Sequence, residues 1–362
     1  MDDTRRVVIL GKTGAGKSSL ANTIFGEKLF KADNTANSGT KECRAETRSV
    51  NGRLTTLIDT PGLFDTDKSE EELKREILRC ITECAPGPHA ALVVFKVDKF
   101  TKQEQAVINK IHQYFSEEVF KYATIVFTLG DQLEEGETIE EFICQNKSLN
   151  DLVKKCGGRC HVIDNKYWKD NPKDEYRSNR YQVPKILNTI HKITGANRGG
   201  CYTNEMLQVV QEITEQKKMH IRKSSGNMSE EEITRQAKDR AYKEIWIRLA
   251  GVGTGALLGA LFGVVEMGKE VVSALKIVAG ASGAAGAAAV GVTAAGGTAV
   301  AGVSAAVGTA VAGVSAAVGA AVGGYTGYHA AEGADTAWEA VKMAKAAVKR
   351  GVKRRHESNM DS

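Results

Sequence analysis

Short apolar runs alternate with longer amphipathic stretches over the first two hundred positions. Val7-Val8-Ile9-Leu10, Leu54 to Asp59, Ala90 to Phe95, Thr124 to Leu129 and Cys160 to Asp164 are too short for helices and predict buried strands. Between them, Ser18 to Ile24, Leu73 to Cys84, Lys102 to Phe115, Ile139 to Cys156 and Pro184 to Thr194 predict helices. Strands alternating with helices imply an α/β fold, with a mainly parallel sheet flanked by helices. A ligand is then expected at the carboxyl ends of the strands.

The pattern changes after a glycine-containing break at Gly195 to Gly200. Residues 201–248 form a charged helical extension, with an interruption expected at Ser224-Ser225-Gly226. No charged side chain occurs from Leu249 to Val265, nor from Ile277 through Tyr328. The second run contains an eleven-residue repeat, Gly297 to Val307 recurring as Gly308 to Val318, a period that favours straight or slightly right-handed helix packing. Gly251, Gly255, Gly259 and Gly263, and again Gly319, Gly323 and Gly327, fall four apart, which on a helix lines one face for close backbone approach.

A spanning helix needs about twenty apolar residues. The tract at 249–328 is therefore expected to supply Gly/Ala/Val-rich membrane helices, and the run at 277–328 has room for two. A glycine-packed helical hairpin in a soluble oligomer and a low-complexity segment are the open alternatives. Arg248 before the tract and the basic tail at 329–362 put both ends on the cytosolic side of an intracellular membrane, and the tail can touch anionic lipid.

Charge and cysteines narrow the class. A net charge of +5 over 362 residues, with no basic-aromatic stripe, gives no expectation of nucleic acid binding. The acidic N-terminus runs straight into the first strand, so no secretory signal is expected. Seven cysteines, an odd number, fit a reducing cytosol. Cys156, Cys160 and His161 have wide spacing and lack a fourth ligand, and are read as no metal site.

The candidate chemistry begins at Gly11-Lys-Thr-Gly-Ala-Gly-Lys-Ser18, between the first strand and the first helix. Gly11, Gly14, Ala15 and Gly16 form a loop whose N–H groups can cradle phosphates, and Lys17 reaches the β/γ-phosphates. Ser18 would ligate Mg²⁺, with Ser19 following at the helix start. Asp59, at a strand end before Thr60-Pro61-Gly62, would hold the same ion through water, and the Gly62 N–H would sense the γ-phosphate. Thr40 stands between these motifs as a candidate switch threonine that completes the metal shell. Thr128 and Asp131 close another strand, where the Asp131 carboxylate can accept the guanine N1–H and exocyclic amine. Asn165 is a candidate second base contact. Leu63 stands where hydrolytic G proteins carry a water-orienting Gln, which predicts slow hydrolysis. His89 and Arg44 are read as structural or solvent-facing.

Four blocks carry a resemblance: Gly11 to Ser19, Ile58 to Thr66, Pro86 to Phe95 ahead of Phe100-Thr101, and Gly200-Cys-Tyr-Thr-Asn-Glu-Met-Leu207. Over residues 5–215 the chain resembles the GTPases of immunity-associated proteins (GIMAP), G proteins similar to septins and chloroplast import receptors. The resemblance implies a G domain over 1–200 that binds GTP or GDP with Mg²⁺ through Lys17, Ser18, Thr40, Asp59 and Asp131. It also implies homodimers or oligomers formed across the nucleotide face. Many members carry an Arg-Lys pair before the base-reading acid, where this chain has Leu129-Gly130, which leaves guanine preference open. The expected function is a nucleotide-regulated switch on a cytosolic membrane face; the alternative is a membrane scaffold in which GTP is structural.

Overall fold

The computed structural model describes residues 4–31, 43–64, 68–168, 174–224 and 228–279. Six strands form one sheet in the order β2-β3-β1-β4-β5-β6: β1 Arg5–Leu10, β2 Arg44–Val50, β3 Arg53–Asp59, β4 Ala90–Lys96, β5 Ala123–Thr128 and β6 Cys160–Val162. All neighbours pair in parallel except β2 with β3. The parallel centre is buried on both faces, as continuous apolar runs require. Connections between strands run through α1 Lys17–Phe25, α2 Glu70–Cys84, α3 Lys102–Tyr114, α4 Glu117–Tyr122, α5 Ile139–Cys144 and α6 Lys147–Lys155, and α7 Asn179–Ala196 follows β6. This is an α/β fold of the P-loop G-domain type.

Local sequence fixes several of these elements. Ser69 with Glu72, Thr101 with Glu104 and Thr138 with Glu141 each form a reciprocal capping box that satisfies the first-turn donors. The stretch read as one helix from Ile139 to Cys156 is two, because Asn146 caps the Leu149 N–H and starts α6 afresh. Strand β2 was not expected. It is a half-exposed, charged edge strand, and a turn at Asn51-Gly52, both residues at positive φ, folds it back onto β3.

Four more helices follow: α8 Glu205–Ser224, α9 Glu230–Arg248, α10 Thr254–Leu261 and α11 Val265–Ala279. Residues 200–204 stitch them to the sheet domain. The Tyr202 N–H donates to Pro88 O at 2.8 Å, and the Thr203 hydroxyl to Pro86 O at 2.8 Å. Gly87 admits this contact, since a Cβ there would lie 1.7 Å from Tyr202 O. The Pro86 and Gly200 blocks of the sequence are therefore two halves of one junction. Helix α9 docks on α2 through Arg79–Asp239 (2.6 Å) and Lys238–Glu83 (2.9 Å), with the Arg79 guanidinium 5.4 Å from the Tyr242 ring centre.

The uncharged run that begins at Leu249 does not behave as the sequence suggested. Among the described residues no helix is long and apolar enough to cross a membrane. Of the glycines spaced four apart from 251 to 263, Gly255 and Gly259 lie in α10, while Gly251 precedes it and Gly263, at φ +82°, ends it. Leu257, Leu258, Leu261 and Phe262 are buried in the same core as the sheet. The Asn204 amide holds the last carbonyls of α10, donating to Ala260 O and Leu261 O at 2.9 Å each. Phe262 packs 4.4 Å from Phe115 and 6.5 Å from Phe64, ring centre to ring centre. This segment is apolar because it is core. The repeat, the glycines at 319–327 and the basic tail lie outside the described residues.

Candidate nucleotide site

The carboxyl ends of β1, β3 and β5 meet at the loop of residues 11–16. Gly16, at φ +87°, is left-handed, and a Cβ there would come within 3.1–3.2 Å of Thr128 and Asn165 side-chain atoms. Glycine therefore lets the loop close against the β5 end and the Asn165 segment. The chain then enters α1, whose first residue is Lys17. The Lys17 ammonium is buried and donates to Gly11 O (3.0 Å) and Lys12 O (2.8 Å), so it curls over the loop. Helix α1 has no side-chain cap and no acid in its first turn, leaving its N-terminal dipole to favour an anion.

The second cluster is oxygen-rich. The Ser18 hydroxyl donates to Asp59 Oδ2 at 2.5 Å, both residues being buried. Ser18 would hold Mg²⁺ directly and Asp59 through water. Two hard oxygen donors next to a phosphate loop fit Mg²⁺ bound with nucleotide phosphates. Neighbouring Thr60 fastens the β3 end to β1 by donating to Ile9 O at 2.7 Å. Thr40 lies outside the described residues. Gly62, Leu63 and Phe64 are buried, and Leu63 points into the core with no exposed surface.

A third group faces the loop from β5 and β6. The Thr128 hydroxyl donates to Ala15 O at 2.8 Å and so ties the phosphate loop to the strand that carries Asp131. Thr128→Val keeps the shape and removes the bond. A hydrogen bond of this kind contributes about 1 kcal/mol to stability, so the thermal midpoint should fall by about 2–4 °C in a melting experiment. Asp131 sits in a 3-10 turn at Gly130–Gln132 and accepts from Gln132 Nε2 at 2.7 Å. Asn165 Oδ1 lies 2.9 Å from the Thr23 hydroxyl on α1. Ser19, a half-buried residue of α1, offers its carbonyl to the same hydroxyl at 2.9 Å.

Two participants were not expected from the sequence. Glu104 on α3 pairs with Lys12 of the phosphate loop. Burial works to raise its carboxyl, and the Lys12 and Thr101 contacts hold it below the ordinary range. The other is Asp164, fully buried beside Asp131. Burial raises the Asp131 carboxyl, and the adjacent Asp164 raises it further. The remaining candidates are structural. His89 Nδ1 accepts from the Arg6 N–H at 3.0 Å, bracing β1 next to β4, and Arg44 is exposed on β2. Burial pushes the Cys156 and Cys160 thiols up to about 12 and His161 down to about 4. Among the described residues no three His, Cys, Asp or Glu side chains are grouped to hold a metal ion.

Fold and site together define a P-loop G domain. The AIG1 family model matches residues 5–222, and the chain belongs to that family. It is 30% identical over 246 residues to immune-associated nucleotide-binding protein 7 of Arabidopsis thaliana, covering 66% of this chain and 77% of that protein. It is 33% identical over 199 residues to GTPase IMAP family member 8 of Homo sapiens, covering 55% of this chain and 29% of the human protein. Among solved structures, Toc33 from Arabidopsis thaliana in complex with GDP and Mg²⁺ aligns with a TM-score of 0.44 at 20% identity, over 56% of this chain and 88% of that one.

Proposed function

We propose that this chain binds GTP and GDP with Mg²⁺ and acts as a slowly hydrolysing switch. Its nucleotide state governs self-association at the cytosolic face of an intracellular membrane. The observation that carries the reading is the gathering of Lys17 and the Ser18–Asp59 pair at the loop of residues 11–16, to which Thr128, three residues before Asp131, is hydrogen-bonded. Lys17 and the α1 N-terminus bind phosphates, Ser18 and Asp59 hold the ion with Thr40, the Gly62 N–H meets the γ-phosphate, and Asp131 reads the base with Asn165.

Slow turnover is supported by Leu63, which is apolar and packed inward, so this position offers no side chain to align water. A second protomer facing the nucleotide can supply the missing group. The charge-free run at 280–328 and the basic tail are the proposed membrane contact. The burial of Leu63 also favours a second reading, in which bound GTP is structural and the chain is a membrane scaffold.

Phosphate release by the full chain at rising protein concentration, followed alongside sedimentation with a GTP analogue or GDP, separates the two readings. The switch is expected to show slow release that accelerates with concentration, and a larger particle with the analogue. Absent release at every concentration would leave the scaffold reading. Leu63→Gln should not raise turnover; burying an unpartnered amide should instead reduce stability by about 1–3 kcal/mol. Complete extraction by alkaline carbonate would rule out spanning helices.

A further inference from the structure

Strands β3, β1, β4 and β5 are parallel neighbours, so their carboxyl ends stand side by side in that order, about 4.8 Å per step. Strand β3 brings Asp59, β1 leads into the loop of residues 11–16, and β5 leads to Asp131. Strand β4 ends between the loop and that acid, and its last residue is Lys96. The loop lies directly on this strand, since a Cβ on Gly11 would come within 2.6 Å of Val94 O. In the β4–β5 ladder Lys96 is paired with Thr128, whose hydroxyl holds Ala15 O. A Cβ on Gly14, in the middle of the loop, would have Lys96 Nζ at 3.9 Å. Beyond Gly14's own chain neighbours, no other described atom comes within 4 Å of that point. The Lys96 side chain is half-buried and lines a cavity of about 60 Å³ beside the loop, with Lys12, Asp98 and Glu104.

The three lysines around the loop differ in what they already hold. Lys12 pairs with Glu104, and Lys17 donates to two loop carbonyls. Lys96 makes no hydrogen bond or ion pair among the described residues. An ammonium carries three donors, and an anion set against it meets its donors and its charge together. We propose that Lys96 is a nucleotide-binding residue whose ammonium takes the α-phosphate and ribose portion, adding a second cation to that of Lys17. The assignment rests on the nucleotide reading given above. The strand order decides which part of the nucleotide Lys96 meets. With the Ser18–Asp59 pair at β3 and Asp131 after β5, a nucleotide laid along the strand ends turns its γ-phosphate toward β3. Its α-phosphate and ribose then lie over β4. Lys96 also brings a cation beside Leu129-Gly130, a segment that carries none of its own.

Equilibrium titration of the full chain with GTP and with GDP, at low and high salt, tests this, with thermal melting as the folding check. Lys96→Met keeps the aliphatic stem and removes the charge. Affinity for GTP and for GDP should fall alike by about tenfold to a hundredfold, the effect of losing one hydrogen bond between charged groups. The deficit should shrink as salt rises, because screening weakens the contact in the parent. Lys96→Arg keeps the charge and should retain most of the affinity. Unchanged affinity in Lys96→Met, a loss confined to GTP, a deficit that salt does not alter, or an equal loss in Lys96→Arg would overturn the role of Lys96 while leaving nucleotide binding standing. Failure of the unaltered chain to bind either nucleotide would overturn the nucleotide reading, and Lys96 with it.

Discussion

Lys17→Ala should abolish measurable GTP binding. The ammonium is held by two carbonyls of its own loop and lies where the β/γ-phosphates would sit. Its removal takes away charge-assisted hydrogen bonds of about 1.5–3 kcal/mol each. Two such bonds correspond to a loss of affinity on the order of 10²–10⁴-fold. Folding should survive, because Lys17 supports the loop and not the sheet: the core beneath it is built by Ile9, Leu10, Leu20 and Leu57. A fluorescent GTP analogue titrated against both proteins, with circular dichroism as the folding check, measures this. Unchanged affinity would refute the site.

Phe262→Ala should cost the whole domain about 3–5 kcal/mol, the range for deleting a buried phenyl ring. Its ring fills the space between Phe64 and Phe115, its carbonyl accepts the Ser116 N–H at 3.0 Å, and only 5% of its surface is exposed. The urea midpoint of the full chain should fall, with a single transition. A stability equal to the parent's would mean that α10 is an appendage. The same packing says that a fragment ending near residue 215 lacks part of its core. Fragments that stop before Phe262 should be less soluble than ones reaching residue 279.

Much of the fold was legible because its strongest signals are local. Runs such as Val7 to Leu10 and Ala90 to Phe95 have no polar face, so only a doubly covered strand can use them. The phosphate loop was legible because its glycines answer a backbone need visible in the residue types alone. Strand β2 was missed for the opposite reason: Arg44 to Val50 has no apolar run, and its only signal is Asn51-Gly52, the pair suited to a tight hairpin. The segment from Leu249 was misread because absence of charge marks burial of any kind, in lipid or in protein. What distinguished them was partnership: Asn204 on the carbonyls of α10, and Phe64 and Phe115 on Phe262. Glu104 and Asp164 were missed because each acts through a residue far away in sequence, Lys12 and Asp131, that only the folded sheet brings near.

The two margins of the sheet set a limit on how copies of this chain can meet. One margin is β2, whose Arg44, Glu46 and Arg48 stud the open side. The other is β6, three residues long. Charged or very short outer strands are poor templates for a neighbour's backbone. Continuous cross-chain sheets are thereby discouraged, so the self-association proposed above would fall to side chains on the nucleotide face and the helices. Contacts of that kind can loosen and re-form as the bound nucleotide changes, which a shared backbone ladder would resist.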